Sequence, residues 1–290
     1  MKHRVVGSWR RGCWFSLVLV GALLAWQLGA ELVEPHFLLG VGDWLQRRPP
    51  PLEVATAGGT ALRLYSDTRP HIGKIAGLQK GLVWTQQGDE LVEEGYGLGC
   101  PIVESDGQAY VSSHAETAMA RDGEVVILTK RYSMDTVDTP VRLLRRKFRS
   151  APSLGVVVVR YEIQTDGTVG VTADLSGLQV PWDRAYLMNE LGARRFTHYS
   201  DASGTDLPAH GIGIWELAGV RQACFDSADG RLGFCIDADK PAQLYFGRER
   251  TRLCNWRGLS SLSWAGIDLE IPAPQSYYAY EISLRTVPSR

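Results

Sequence analysis

From residue 124 onwards, short runs of β-branched and aromatic residues alternate with polar ones, and small turn residues break them at close intervals. Glu124–Tyr132, Leu154–Ile163, Thr168–Leu175, Ala209–Ala218, Arg221–Phe225, Leu232–Ile236 and Gln243–Phe246 all have this chemistry. Alternation with a period of two is the signature of a strand with one face buried. Tyr277–Leu284 closes the series, and Tyr278, Tyr280, Ile282 and Leu284 share one face. Asp-Gly pairs stand at Asp106-Gly107, Asp122-Gly123, Asp166-Gly167 and Asp229-Gly230, each between two such runs. Asp-Gly supplies the positive φ angles of a tight hairpin, so each pair predicts a hairpin turn. Helical periodicity is scarce, and Asp183–Arg195 reads either as a helix or as a loop and strand. The pattern predicts an all-β domain, a large antiparallel β-sandwich.

The first 51 residues follow another pattern. Lys2, Arg4, Arg10 and Arg11 precede an uncharged stretch from Gly12 to Ala30, and Glu31 and Glu34 follow it. Cations before an apolar run and anions after it place the N-terminus in the cytoplasm and the rest of the chain across the membrane. The run lies between the length of a signal-peptide core and that of a spanning helix. Gly29-Ala30 offers a cleavage site, but Leu28 suits it poorly. Trp14 and Trp26 near the ends favour an uncleaved anchor. The reading is therefore one N-terminal hydrophobic helix, a signal-anchor or signal peptide over residues 1–31. A juxtamembrane segment and spacer over 32–51 ends in Pro49-Pro50-Pro51, and the β-sandwich occupies 52–290. Membrane contact through this helix and an extracytoplasmic domain follow, or secretion if the helix is cleaved.

Composition changes this picture little. About 240 of the 290 residues lie beyond the spacer, 44% of the chain is hydrophobic and 22% charged, and the net charge is −1. Such a chain buries a core without metals or disulfides, and no global field draws it to nucleic acid. The local exception is Val141–Arg149, with Arg142, Arg145, Arg146, Lys147 and Arg149, which reads first as a solvated edge or loop.

The exported part carries Cys100, Cys224, Cys235 and Cys254. If Asp229-Gly230 is a two-residue loop, Ala228 faces Arg231, and counting outward sets Cys224 opposite Cys235 at a hydrogen-bonded position about 5.5 Å apart. That distance is compatible with a disulfide; buried reduced thiols are the other reading. The spacings match no zinc site. No metal or cofactor is expected.

The chemistry-bearing candidates are scattered. His71 opens a glycine-rich segment that runs to Pro101 and contains Glu93 and Glu94. Adjacent strand residues point to opposite faces, so these two glutamates do not form one acid/base pair. In Tyr110–Glu116, strand alternation puts Tyr110, Ser112, His114 and Glu116 on one face. A second cluster holds Asn189, Glu190, Arg194, Arg195, His198 and Asp201, and arginine with carboxylates suits hydroxyl-rich or anionic ligands. His71, Glu93, Glu94 and His114 are the catalytic candidates; Glu116, Glu190, Arg194, Arg195 and His198 are the ligand-binding ones. For each, a solvent-facing strand or mixed-charge loop is the blander reading. H-E-x-x-H, G-x-S-x-G and P-loop motifs are missing from the sequence.

Gly81-Leu-Val-Trp84, followed by Asp89-Glu-Leu-Val-Glu-Glu-Gly-Tyr-Gly-Leu-Gly99, together with the domain's length and many strands, resembles the galactose mutarotase-like β-supersandwich group. That group includes aldose 1-epimerases and accessory domains of polysaccharide-processing enzymes. The resemblance spans residues 52–290 in architecture and implies a supersandwich-like fold with a carbohydrate partner. It departs where chemistry matters. The Asn-His context of the epimerases is missing, and Glu270 and Glu281 lie in the region of their catalytic glutamate without a matching motif. No catalytic residue is carried over, and fold alone does not assign activity. Three functions follow as expectations: an extracytoplasmic carbohydrate-binding or carbohydrate-processing domain; a non-catalytic, membrane-anchored envelope or interaction domain; and a polysaccharide lyase-like domain. Whether the chain is an enzyme is left open.

Overall fold

The computed structural model describes residues 49–68, 78–92, 95–138, 148–193, 195–204, 206–208, 213–250 and 262–286. The N-terminal segment, His71, Glu93, Glu94, Arg194 and the cationic run before Phe148 lie outside the described residues. Among the described residues no helix is long and apolar enough to cross a membrane.

The described structure is all-β and antiparallel, as the alternation predicts. A small sheet joins β1 (Leu52–Thr56), β2 (Thr60–Leu64), β3 (Val83–Gln86) and β4 (Asp89–Glu90) in chain order. A large sheet takes β5 (Gly97–Ser105), β6 (Gln108–Asp122), β7 (Val125–Asp138), β8 (Phe148–Ser150), β9 (Val156–Ile163) and β10 (Thr168–Asp174). It continues with β11 (Arg184–Leu191), β12 (Phe196–Asp201), β13 (Asp206–Pro208), β14 (Gly213–Ser227), β15 (Leu232–Arg250), β16 (Leu262–Pro272) and β17 (Tyr277–Thr286). Its order is β13-β12-β14-β15-β16-β11-β5-β6-β7-β9-β10-β17, with β8 on β7. A further pairing, β15 with β17, closes the sheet on itself. β15 manages both partners by length: Leu232–Ala238 pairs with β17 and Gln243–Arg250 with β16, and Pro241 falls between the two halves.

The buried set follows the predicted period. Val157, Val159, Tyr161 and Ile163 of β9, Val169, Val171 and Ala173 of β10, and Tyr278, Tyr280 and Ile282 of β17 all enter one continuous core. Leu284 is partly buried against it. All four Asp-Gly pairs lie at hairpins. Asp106 and Gly107 both have positive φ, 51° and 68°, between β5 and β6. After Asp122, Gly123 and Glu124 form the two-residue turn, with Asp122 opposite Val125. Gly167 has φ 94° in the β9–β10 turn.

Three expectations are sharpened or corrected. The ambiguous segment is resolved as strand over its first part: β11 spans Arg184–Leu191, with Ala185 and Leu187 inward and Arg184 outward. The Cys224–Cys235 disulfide is present, but its Cα–Cα distance is 4.0 Å. The connection is longer than two residues: Gly230 N donates to the Ser227 carbonyl at 2.9 Å and Leu232 N to Ser227 Oγ at 2.9 Å. The longer loop moves the pair into the closer, non-hydrogen-bonded phase. Finally, Ser112 does not share a face with His114. The β6–β7 register shifts on both sides of Ser112, so Ser112 is buried while His114 and Glu116 are exposed. An inserted residue in one strand reverses the faces beyond it.

β5 and β6 pair only from Val103 to Tyr110. Where they part, residues 78–82 enter: Gln79 N donates to the Ser112 carbonyl at 2.9 Å, and Leu82 and Leu98 exchange bonds at 2.8 and 2.9 Å. Gly81 is required here, because a Cβ would strike the Leu98 carbonyl.

Candidate functional site

Two polar groupings stand out, one inside the core and one on its surface. Inside, Lys130 of β7 is fully buried. Its Nζ donates to the carbonyls of Tyr65 at 2.6 Å and Lys80 at 2.8 Å, and the Tyr132 hydroxyl donates to the same Lys80 carbonyl at 3.1 Å. These donors satisfy a main chain that leaves the ladder to cross the interior. Cys100 is buried beside them, and burial pushes its thiol up to about 12, which makes it inert as a nucleophile.

The β5–β11 register slips between Met188 and Asn189, so Gly99 is left without a ladder partner. Asn189 Oδ1 accepts its N–H at 3.0 Å and the Tyr280 hydroxyl at 2.8 Å, while Nδ2 donates to the Leu187 carbonyl at 3.0 Å. The Asn189 backbone N–H donates to Asp268 Oδ1 at 2.9 Å. One side chain thus ties β5, β11 and β17 together. Desolvation raises Asp268 to about 7, so near neutrality this carboxyl is partly protonated.

On the solvent side of β11 the grouping is different in kind. Arg184 lies opposite Glu104 of β5, and Tyr186 opposite Glu270 of β16. Arg184 Nε meets Glu104 Oε2 at 3.0 Å, and Nη1 meets Glu270 Oε1 at 3.7 Å. Their side chains are 45%, 34% and 13% exposed, a graded descent from solvent into the sheet. Tyr186 bonds the same guanidinium. Desolvation first, then the two carboxylates, raises its phenol, so it remains a neutral donor and acceptor. Tyr186 first, then the Glu270 and Glu104 carboxylates, raise Arg184 in turn, keeping it charged. Trp182, just before β11, packs partly buried against the core, and its segment is pinned by Ser105 Oγ donating to the Pro181 carbonyl at 2.8 Å. A fork of donors, two acceptor pairs and a phenol on one face can grip a hydroxyl-rich ligand by charge-assisted hydrogen bonds.

The sequence candidates are distributed more widely. His114 and Glu116 are exposed neighbours on β6, opposite Ser133 and Arg131, and Glu116 meets Arg131 at 4.0 Å. Arg195 meets Asp89 at 4.0 Å, tying the start of β12 to β4. His198 stands in β12 between Pro208 and Asp226. Along the sheet, β14, β15, β16, β11 and β5 separate β12 from β6. Glu190 is buried, and its Oε2 accepts the Tyr96 N–H at 2.8 Å. It lies opposite Gly266 and Gly97, and a Cβ at Gly95 would meet its own Cβ. Glu190 therefore fastens the turn before β5 into a lane cleared by glycines. Sequence reasoning missed Arg184, Tyr186 and Glu104. The signal available was the spacing of Arg184 and Tyr186, two residues apart on a strand. Among the described residues no group of three or more His, Cys, Asp or Glu is placed to hold a metal.

No protein-family model matches the chain, and no curated protein matches it in sequence. Solved structures do match. The α-N-acetylgalactosaminidase NagBb of Bifidobacterium bifidum, in complex with GalNAc, superposes with a TM-score of 0.51 at 10% identity, over 82% of this chain and 36% of that one. The chain thus spans about a third of that protein. The heparan sulfate lyase HepC of Pedobacter heparinus gives a TM-score of 0.44 at 8% identity, over 83% of this chain and 37% of that one. A GalM/aldose epimerase homologue from C. elegans gives 0.37 at 10% identity, over 82% and 99%. The last two scores carry no argument of their own. An aldose epimerase homologue is nonetheless among the matches, as the galactose mutarotase-like resemblance of the sequence led us to expect. What the galactosaminidase superposition shows is a shared fold.

Proposed function

We propose that this chain is an extracytoplasmic carbohydrate-binding domain with a supersandwich-like frame, held at the membrane by its N-terminal hydrophobic segment. The observation that carries the reading is the Arg184–Glu104–Glu270–Tyr186 cluster. A guanidinium is shared by two carboxylates on a half-exposed sheet face, beside a phenol kept neutral. Sugar hydroxyls both donate and accept, and this cluster answers both needs. The fold shared with part of a galactosaminidase supports a carbohydrate ligand. The Cys224–Cys235 disulfide supports an oxidising compartment. Binding is proposed, and no reaction is assigned.

A glycan array followed by calorimetry on the purified protein tests it, together with a mutarotation assay to detect turnover. Arg184→Ala and Tyr186→Ala are expected to weaken the best ligand about tenfold or more, each removing hydrogen bonds to a charged or polar partner. Absence of any glycan ligand, or affinities untouched by both substitutions, refutes the proposal. Protease accessibility of the domain in intact cells tests the location separately.

A further inference from the structure

The outer edge of β6 carries an inference independent of sugar binding. Asp122 and Val125 flank the two-residue Gly123–Glu124 turn and so form a hydrogen-bonded pair. Counting back, Asp122, Ala120, Ala118, Glu116 and His114 direct their backbone groups to β7. Arg121, Met119, Thr117 and Ala115 direct theirs to the opposite edge. Nearer its start that edge is occupied, by β5 up to Tyr110 and by Gln79 N at the Ser112 carbonyl. Beyond Ser112, among the described residues, no backbone group pairs with it. The residues from Ala118 to Asp122 are exposed on both faces of the strand, and Met119 is 40% exposed. Edge strands are usually guarded by lysine, proline or a bulge. Here the bulge lies at the guarded end, and Ala115–Ala120 holds one charge, Glu116.

We propose that two copies of the chain pair antiparallel along this edge, about a two-fold axis through Ala118. The strand is complementary to itself in one register. Bonds form only between residues whose N–H and C=O face outward, so Ala115, Thr117, Met119 and Arg121 must oppose one another. Centring on Ala118 sets Ala115 opposite Arg121 and Thr117 opposite Met119. On the other face it sets His114 opposite Asp122 twice, an imidazole donor against a carboxylate. Centring on Met119 instead opposes Glu116 and Asp122, two like charges. Centring on Thr117 needs Ser112, which is already buried and bonded. Ala118 on the axis is small and lets the strands close.

Central residues of such a pair have Cα atoms about 4.5 Å apart, within disulfide range. Ala118→Cys in the full chain is therefore expected to give a covalent dimer on mild oxidation, at least about tenfold more than Thr117→Cys, which faces Met119 rather than itself. Met119→Pro removes an N–H that points away from β7, a position where an edge tolerates proline. Sedimentation should show a concentration-dependent dimer for the wild type and a monomer for Met119→Pro. Met119→Lys replaces it if the proline variant does not fold. A wild type that is monomeric throughout overturns the proposal, as does cross-linking of Ala118→Cys no greater than Thr117→Cys. A dimer that survives the change at Met119, or an edge that takes only an unrelated extended peptide, also overturns it.

Discussion

Replacing Asn189 by Ala removes the acceptor of the Gly99 N–H and the Tyr280 hydroxyl and the donor to the Leu187 carbonyl. The site is fully buried, so water does not readily replace these bonds. Each orphaned group costs about 1–3 kcal/mol, and the two donors alone bring the expected loss to about 2–6 kcal/mol. Against a typical net stability of about 5–15 kcal/mol, that is a large fraction. Tyr280→Phe should be milder, near 1 kcal/mol, because Asn189 keeps Gly99 and the other groups stay paired. The double variant should cost less than the sum, since removing the hydroxyl also removes one of the orphans. The expected coupling is about 1–2 kcal/mol. Urea unfolding followed by tryptophan fluorescence, with unchanged slopes, measures all three. An Asn189→Ala loss below about 0.5 kcal/mol, or strict additivity, refutes the role given to Asn189 as the tie between strands.

Asp268, raised by burial from 3.8 to about 7, keeps its proton in the fold over a range where the unfolded chain has lost it. Stability should therefore fall as pH rises from about 4 to about 7, and Asp268→Asn should be the more stable protein at pH 8 by on the order of 2–4 kcal/mol; the gap should close near pH 4, and a gap constant with pH refutes this. Gly81→Ala drives a methyl into the Leu98 carbonyl and should cost about 3 kcal/mol in the same assay, where a neutral result would mean the 78–82 crossing is placed wrongly. Reducing Cys224–Cys235, which closes a loop with a separation of 11 residues, should lower stability by roughly 3 kcal/mol; no shift in midpoint on reduction would show that the loop is ordered without the bond.

What was legible in the sequence was local. Asp-Gly turns and period-two runs require only neighbouring residues, and the strands around them emerged nearly as read. The pairing of Cys224 with Cys235 came from counting, but its phase depended on how many residues Ser227 caps, which composition does not reveal. β11 was ambiguous for a physical reason. Asn189, Glu190 and Leu191 are buried in succession, because the turn at Gly95–Tyr96 covers the outer face there, and alternation disappears when both faces are covered. Ser112 and His114 fell on opposite faces because a bulge leaves no sequence mark. The Arg184 cluster was illegible for a different reason: Glu104, Arg184 and Glu270 come from three strands far apart in the chain and meet only through sheet order.

The closure of the large sheet has a consequence in the arithmetic of direction. β15, β16, β11, β5, β6, β7, β9, β10 and β17 form a cycle in which every neighbouring pair is antiparallel. Around a simple cylinder, up and down must alternate, and an odd cycle of nine has no consistent assignment. The conflict is resolved only if a strand changes heading between its two neighbours, and β15, which meets β17 with one half and β16 with the other, is built to do so. Since β14 runs along the other edge of both halves, β17 and β16 share one edge of β15, and disrupting that single strand would undo both of its seams at once.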